Sequence, residues 1–188
     1  MRPLLVILGA AGIYGWAQFL LSFHHITLFG PSHNAPGTDW MVYYGAINAF
    51  VGDHTAIVYD SFQFTDYLNA TFAPWLSAPL PFHPWLYPPT FLLVLLPFAC
   101  VPFGVSYAAF QIVTFAGLAG SLWRSTKKKV EQWTPIFSLL LCPAASINVF
   151  AGQNAFMTGA LLVGGCRLLE RRPFLGGAVL GLLGYRPQ

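Results

Sequence analysis

Apolar residues fall into five long runs that are separated by polar or proline-rich breaks. A membrane-spanning helix needs about 20 consecutive apolar residues, and the runs approach that length. The sequence therefore predicts spans at about residues 4–28, 104–123, 133–149, 154–169 and 174–188. The last predicted span is incomplete at Gln188, so we expect the chain to be the N-terminal part of a longer protein. A cleaved signal peptide is the alternative for the first run, but the run is long and no small-residue cleavage site follows it.

Residues 29–103 form a long predicted loop, and its part 29–90 is too polar to span a membrane and too aromatic for a flexible linker. Thr38 is the predicted N-cap of a helix in this loop, with Asp39 in its first turn. Large apolar and aromatic side chains recur there at helical spacing and predict an amphipathic helix over 39–51. They are Trp40, Tyr43, Tyr44, Ile47 and Val51. Prolines between residues 74 and 89 predict a stiff, extended path. The following apolar segment is too short to span and predicts an interfacial or re-entrant helix over 90–101.

Composition narrows the class of protein. Hydrophobic residues make up 56% of the chain and charged residues only 8%, whereas soluble domains carry about 25% charged residues. This excludes an ordinary soluble domain, and the apolar content excludes a disordered chain. The net charge of +3 is too small to indicate a nucleic-acid partner. The sequence therefore predicts an all-α integral membrane protein.

The placement of charge predicts which parts of the chain lie on each side of the membrane. No lysine or arginine occurs between Arg2 and Arg124, and that interval holds four of the six acidic residues, namely Asp39, Asp53, Asp60 and Asp66. The positive-inside rule places basic segments in the cytoplasm, so the long loop is expected outside. This predicts a multi-pass protein of the plasma (inner) membrane whose active side faces the periplasm or exterior. If the segment 90–101 spanned the membrane, Lys127–Lys129 would lie outside, against the rule.

Several short motifs, in one order along the chain, resemble glycosyltransferase family 87 of the GT-C superfamily. In the predicted loop they are Asp39, Val42-Tyr43-Tyr44, Val58-Tyr59-Asp60, Tyr87-Pro88-Pro89, Leu96-Pro97-Phe98 and Val101-Pro102. In the second half they are Asn148, Gly152-Gln153-Asn154, Gly176-Gly177, Gly181-Leu182-Leu183 and Arg186-Pro187-Gln188. No single motif is specific, and the resemblance depends on their ordered combination.

The resemblance implies a GT-C-like multi-span helix bundle with juxtamembrane helices in the long first outer loop. It implies inverting transfer of a mannose-like hexose from a polyprenyl phosphate sugar to a lipid or glycan acceptor at the outer face, without a cofactor. Asp39 matches the family's loop carboxylate, the candidate general base; the alternative is that it only supports a helix N-terminus. Arg186 stands where the family usually has lysine and would attract the phosphate, although the two cations differ in hydration and donor geometry. Its alternative is a snorkelling helix-end arginine.

Five further residues are candidate substrate-binding positions. Tyr43 shares the predicted helix face and a family motif, and His83 could donate to a phosphate from its place beside the prolines. Tyr87 could pack under the lipid or the sugar. Gln153 and Asn154 could hydrogen-bond sugar hydroxyl groups. The structural alternatives are a surface histidine, an interfacial tyrosine, and a polar break between two spans.

Two other classes of function stay open. The first is a non-catalytic or accessory membrane fragment of the same family. The second is a transporter, which is disfavoured because transporters place polar groups at the midplane of spans, whereas here they collect at the outer edge. No metal site is expected, since the adjacent His24 and His25 cannot present one face. The three cysteines lie in apolar stretches and indicate packing.

Overall fold

The structure, a computed structural model, describes residues 2–27, 30–31, 35–123 and 129–185. It is almost entirely helical; the one sheet among these residues pairs β1 (Ile26–Thr27) with β2 (Gly30–Pro31) in antiparallel fashion. The chain divides into two compact units. Unit 1 comprises residues 1–19 and 111–184, and unit 2 comprises residues 20–110 and 185–188.

Unit 1 is built from apolar helices of 9–21 residues. They are α1 (Arg2–Ser22), the second part of α6 (Phe103–Trp123), α7 (Lys129–Leu141), α8 (Pro143–Ala151), α9 (Ala155–Leu169) and α10 (Pro173–Gly181), which continues as a 3₁₀ helix over Leu182–Tyr185. Pro143 and Pro173 stand at the first positions of their helices, where a missing N–H is tolerated. The chain bends by 63° between α7 and α8, because Pro143 cannot continue the hydrogen-bond ladder of α7.

Glycines allow close backbone contact in unit 1. A Cβ atom added at Gly12 of α1 would collide with the carbonyl oxygen of Leu141 at the end of α7. At Gly176 of α10, an added Cβ would lie 2.5 Å from the backbone nitrogen of Leu169 in α9. Small residues at such positions bring helix axes together and increase dispersion contacts, which is typical of apolar helix packing.

Unit 2 consists of short helices around one central helix. After β1 and β2 come α2 (Thr38–Val51), α3 (Thr55–Val58), α4 (Ser61–Phe72), α5 (Pro89–Leu95), a 3₁₀ helix over Leu96–Phe98 and the first part of α6. Residues 76–88 contain neither helix nor strand, in keeping with their prolines. Asn69 of α4 holds this segment, because its side-chain amide accepts from the backbone N–H of Leu80 and donates to the Leu80 carbonyl.

Helix α2 lies where the sequence predicts a helix, but its surroundings differ from the expectation. Its buried residues, Trp40, Met41, Val42, Tyr43, Gly45, Ala46, Ile47 and Ala49, surround most of the helix rather than forming one face, and Val51 is 63% exposed. The prediction of Thr38 as the N-cap is wrong by one position. Gly37 is the N-cap, with φ of 79°, a left-handed conformation that glycine adopts without steric penalty. Asp39 does lie in the first turn.

The helix bounds bear on how much of the chain crosses a membrane. Among the described residues, α6 is long and apolar enough to span, and the bent pair α7–α8 is a second candidate if it counts as one span. The other apolar helices of unit 1 have 10–17 residues within the part searched, for example Val6–Ser22 and Ala155–Leu169. The all-helical architecture is thus confirmed, and the five-span bundle stays a prediction.

Candidate functional site

Unit 2 contains a compact group of rings, which we call the tyrosine cluster: Tyr43, Trp85, Tyr87, Phe91 and Tyr185. The ring of Tyr43, from α2, meets those of Tyr87 and Phe91 edge to face at centroid distances of 5.3 and 5.6 Å. Tyr185 stacks on Phe91 at 4.6 Å, and Trp85 lies 5.2 Å from Tyr87. Offset and edge-to-face ring pairs of this kind stabilise a fold beyond the area that they bury.

Two hydroxyl groups meet inside this cluster. The Tyr43 and Tyr87 hydroxyl oxygens lie 2.8 Å apart and share one hydrogen bond. Burial raises the pKa of Tyr43 far above its ordinary value, and Tyr87, Asp39 and Tyr185 raise it further. Tyr43 is therefore a neutral phenol at physiological pH, a hydrogen-bond donor rather than a base.

Asp39 lies one helical turn before Tyr43 on α2, close enough for its negative charge to act on the Tyr43 hydroxyl. The carboxylate is partly exposed, and within the described ranges no side chain or backbone N–H hydrogen-bonds to it. Asp39 and Tyr43 follow each other at i and i+4, which places them on the same side of a helix. The site therefore places a carboxylate one helical turn from the neutral phenol of Tyr43.

His83 lies in the proline-rich segment of unit 2. Its backbone N–H donates to Thr65 Oγ1 at 3.2 Å, and its Nδ1 lies 2.7 Å from the Pro81 carbonyl oxygen. A carbonyl can only accept, so Nδ1 carries the hydrogen and Nε2 of the neutral ring is an acceptor. The predicted donation from His83 to a phosphate through Nε2 therefore requires the protonated imidazole.

The two amide candidates belong to unit 1 and follow α8. Gly152 ends α8 in a left-handed conformation, with φ of 78°, and begins the turn Gly152-Gln153-Asn154. The Gln153 side chain is exposed and the Asn154 side chain is buried. The Asn154 carbonyl accepts from the Thr158 hydroxyl at 3.1 Å. Only Gln153 is thus placed to offer its amide group to a ligand.

A chain of buried amides holds this turn. Gln111 of α6 donates to the Gln153 carbonyl at 3.0 Å and accepts from the Asn148 side chain at 3.0 Å. The Asn148 side-chain oxygen in turn accepts from the backbone N–H of Ala155 at 3.0 Å. Buried amides left without partners cost free energy, so the three bonds together stabilise one conformation of the turn.

The remaining candidate, Arg186, lies outside the described residues. The residue before it, Tyr185, is buried in the tyrosine cluster. Among residues 2–27, 30–31, 35–123 and 129–185, no three histidine, cysteine or acidic side chains form a group that could hold a metal ion.

The sequence predictions did not include three ring residues or one amide of these sites: Trp85, Phe91, Tyr185 and Gln111. Trp85 stands two residues before the candidate Tyr87 within the proline-rich segment, so its position in the sequence could have identified it. Nothing in the local pattern distinguishes Gln111 from other polar residues of apolar helices, because its partners lie 37 and 42 positions away.

Comparison with known proteins identifies a protein family whose profile the sequence matches. Residues 85–188 match the profile of glycosyltransferase family 87, which spans the second part of the cluster, the amide-held turn and all helices between them. The match covers more than half of the chain. No curated protein and no solved structure matches the chain.

The chain therefore belongs to glycosyltransferase family 87, a membrane-associated family. As a member, it is linked to glycosyl transfer and thus to a sugar donor and an acceptor. Asp39 and Tyr43 precede the matched residues, so their roles do not come from the match.

Proposed function

We propose that this protein transfers a mannose-like hexose from a polyprenyl phosphate sugar to a lipid or glycan acceptor, with Asp39 as the general base. The observation that carries the proposal is the Asp39 carboxylate of a family 87 chain, which receives no hydrogen bond from the described residues and lies one helical turn from Tyr43 of the partly buried Tyr43–Tyr87 hydroxyl pair. Such a carboxylate can accept a proton from an incoming hydroxyl group.

The proposed step is a single displacement. The acceptor oxygen forms a bond to the anomeric carbon while its proton passes to Asp39. The bond between the anomeric carbon and the phosphate oxygen breaks on the opposite side, and its electron pair leaves with the polyprenyl phosphate. The configuration inverts. A cation stabilises the departing phosphate, and Arg186, which follows Tyr185 in the sequence, is the proposed residue.

The remaining candidates bind rather than react. In unit 2, the Tyr43 and Tyr87 hydroxyl groups contact substrate oxygens, and His83 adds a donor toward the phosphate. In unit 1, the exposed Gln153 amide is a separate candidate donor to sugar hydroxyl groups. Asn154, whose side chain is buried, shapes the turn that presents Gln153. We assign these contacts to the substrate because neutral donors in apolar surroundings orient oxygen-rich ligands.

Asp39→Asn tests the base. It keeps the size of the side chain but removes the proton acceptor, so transfer of labelled mannose from polyprenyl phosphate mannose in membranes should fall by about 10²–10⁴-fold. Asp66→Asn is the matched control, because Asp66 is an exposed residue of α4, and its transfer rate should equal that of the wild type. Equal rates for Asp39→Asn and the wild type, at equal amounts of protein, would contradict the assignment.

We also propose that the protein is multi-pass and lies in the plasma membrane with unit 2 facing the exterior or periplasm, since residues 3–123 contain no lysine or arginine. In a background without Cys100, Cys142 and Cys166, the substitution Asp53→Cys should react with an impermeant thiol reagent in intact cells. Lys128→Cys should react only after the membrane is opened. The reverse pattern would overturn both the orientation and the proposed outer-face chemistry.

A further inference from the structure

An apolar groove of about 640 Å³ runs along α7 of unit 1. It is lined by Trp133, Thr134, Phe137, Ser138 and Leu141. The three large apolar side chains follow one another at every fourth position, so they lie on one side of the helix over about 12 Å. Trp133, Phe137 and Leu141 are 50%, 57% and 47% exposed. The described part of the chain therefore leaves a long apolar surface on α7 open to a partner.

The groove begins where three helix ends of unit 1 meet. Trp123, the last residue of α6, meets Trp133 edge to face with ring centroids 4.5 Å apart. Trp133 in turn lies 6.0 Å from Phe137. The guanidinium group of Arg167, in the last turn of α9, donates to the Ser121 carbonyl of α6. These contacts bring the last turns of α6 and α9 and the beginning of α7 to one end of unit 1.

Basic residues are concentrated in the two chain segments at this end. Seven of the nine lysine and arginine residues of the chain lie there, with two acidic residues, Glu131 and Glu170. Residues 124–128 lie outside the described residues, but both helix ends that they join, Trp123 and Lys129, are described. The seven basic residues are Arg124, Lys127, Lys128, Lys129, Arg167, Arg171 and Arg172. The end of unit 1 beside the groove is therefore positively charged.

A phospholipid with an anionic headgroup matches both the charge and the groove. Clusters of lysine and arginine beside an apolar helix are typical of anionic-lipid binding, and tryptophan rings such as those of Trp123 and Trp133 are typical of headgroup level. An acyl chain is long and apolar, as the groove is. A second copy of the chain, by contrast, would bring the same positive charges together at this end. Charge complementarity therefore favours a lipid as the partner.

We propose that this end of unit 1 binds one anionic glycerophospholipid, with the lipid phosphate among the basic side chains and an acyl chain in the α7 groove. The site does not depend on the proposed function, because the general base of that reaction, Asp39, belongs to unit 2. A ligand that binds the folded chain stabilises it. The thermal stability of the protein is therefore expected to rise with the amount of anionic lipid.

The experiment measures lipid binding by native mass spectrometry of the full chain in detergent. Three probes are compared: phosphatidylglycerol, phosphatidylcholine with the same acyl chains, and polyprenyl phosphate. The wild type should bind one phosphatidylglycerol molecule more tightly than phosphatidylcholine. This preference should weaken as ionic strength rises, because salt screens exposed charges. In parallel, phosphatidylglycerol should raise the midpoint of thermal unfolding more than phosphatidylcholine does.

Charge variants test the headgroup contact. Arg171 and Arg172 are exposed, so the double substitution Arg171→Gln and Arg172→Gln should leave the fold intact. Each basic residue near a headgroup strengthens binding by about fivefold, so affinity for phosphatidylglycerol should fall by about 25-fold. Affinity for phosphatidylcholine should not change. The matched control is the double substitution of the same two residues by lysine, which keeps both charges and should keep the affinity of the wild type.

A groove variant tests the acyl-chain contact. Phe137→Ala removes a half-exposed ring from the groove, so fewer atoms contact the acyl chain and affinity for phosphatidylglycerol should fall by about threefold to tenfold. Ile112→Ala is the control in the same unit. Ile112 is 67% exposed on α6, eleven residues before Trp123, which places it about 16 Å along the helix from the charged end. Its variant should bind phosphatidylglycerol as the wild type does.

Several results would overturn the proposal. Equal affinity of the wild type for phosphatidylglycerol and phosphatidylcholine, or an unchanged preference after both arginines become glutamine, would exclude a headgroup site. Equal effects of Phe137→Ala and Ile112→Ala would exclude the α7 groove.

Two other occupants of the groove give their own signals. Tighter binding of polyprenyl phosphate than of phosphatidylglycerol, weakened by the same substitutions, would assign the site to the carrier lipid of the proposed reaction. A dimer that phosphatidylglycerol displaces and that Phe137→Ala abolishes would assign the groove to a second copy of the chain. Either result would overturn the proposal. None of these measurements involves sugar transfer, so failure here leaves the test of the proposed function by Asp39→Asn unaffected.

Discussion

Units 1 and 2 pack their apolar side chains in different ways. In unit 1, glycines such as Gly12 and Gly176 bring helix backbones into contact, and buried amides tie the turn after α8 to α6. In unit 2, large rings from α2, α5 and the proline-rich segment pack on one another. In unit 1, the side-chain amides that hold the turn have hydrogen-bond partners. In the described part of unit 2, two indole N–H groups within the ring packing have none.

This contrast distinguishes the structural role of unit 1 from the catalytic role that we propose for unit 2. Long apolar helices need close packing and satisfied amides, because a polar group without a partner is most costly in apolar surroundings. A binding site needs donors that the fold itself does not use. Unit 2 has two such donors, the indole N–H groups of Trp40 and Trp85, and it also holds the Asp39 carboxylate; this is why we assign the reaction to it.

The largest expected effect is on the ring packing of unit 2. Phe91 is fully buried between Tyr43, Trp85 and Tyr185, so Phe91→Ala should lower the free energy of unfolding in detergent by about 3–5 kcal/mol. Leu93→Ala is the control on the same helix, because Leu93 is 58% exposed, and a change within about 0.5 kcal/mol is expected. Similar values for the two variants would mean that the cluster does not stabilise unit 2.

The next prediction tests whether close backbone contact at glycine explains the packing of α1 in unit 1. Gly12→Leu places a side chain where even a Cβ atom collides with the Leu141 carbonyl, and overpacking of this kind should destabilise by about 1–3 kcal/mol. An added Cβ at Gly9, on the same helix, meets nothing within 4 Å. Chemical denaturation in detergent should therefore show that Gly9→Leu is neutral or slightly stabilising. If Gly9→Leu proved as harmful as Gly12→Leu, close contact at glycine would not explain the packing of α1.

The smallest expected effect is on the pH dependence of the free energy of unfolding. Because the pKa of Tyr43 is raised in the fold, the folded chain keeps a proton that the unfolded chain loses above the ordinary tyrosine pKa of about 10. The corresponding stability is present below about pH 10 and is lost as pH rises further, by up to about 1.4 kcal/mol per pH unit. Tyr43→Phe removes this titrating group. Above about pH 10, the free energy of unfolding of the variant should therefore fall less steeply with pH, by the contribution of one proton.

Tyr59→Phe serves as the comparison for that titration, since Tyr59 is 50% exposed. The free energy of unfolding is measured from pH 9 upward for the wild type and both variants. Identical slopes for Tyr43→Phe and the wild type would mean that the Tyr43 hydroxyl is not protected by burial.

Much of the helical content was determined by the sequence alone. The apolar runs, the proline that begins α10, and the position of Asp39 at the start of α2 are local features, whereas the break at Pro143 divides the predicted span 133–149 into α7 and α8. Local spacing and backbone preferences decide them within a few residues of each site. The sequence also supplied the family resemblance, which the match over residues 85–188 confirms.

The sites depended on the tertiary structure. Tyr43 and Tyr87 are 44 positions apart, and Tyr185 joins them from the far end of the chain, so no periodic pattern relates the three. The same holds for Gln111 and the turn at Gln153. Packing brings these side chains together, and only packing decides which donors the fold uses and which it leaves for a ligand. Burial of α2 on most sides is also a tertiary result, because the helices and rings that cover it come from separate segments of the chain.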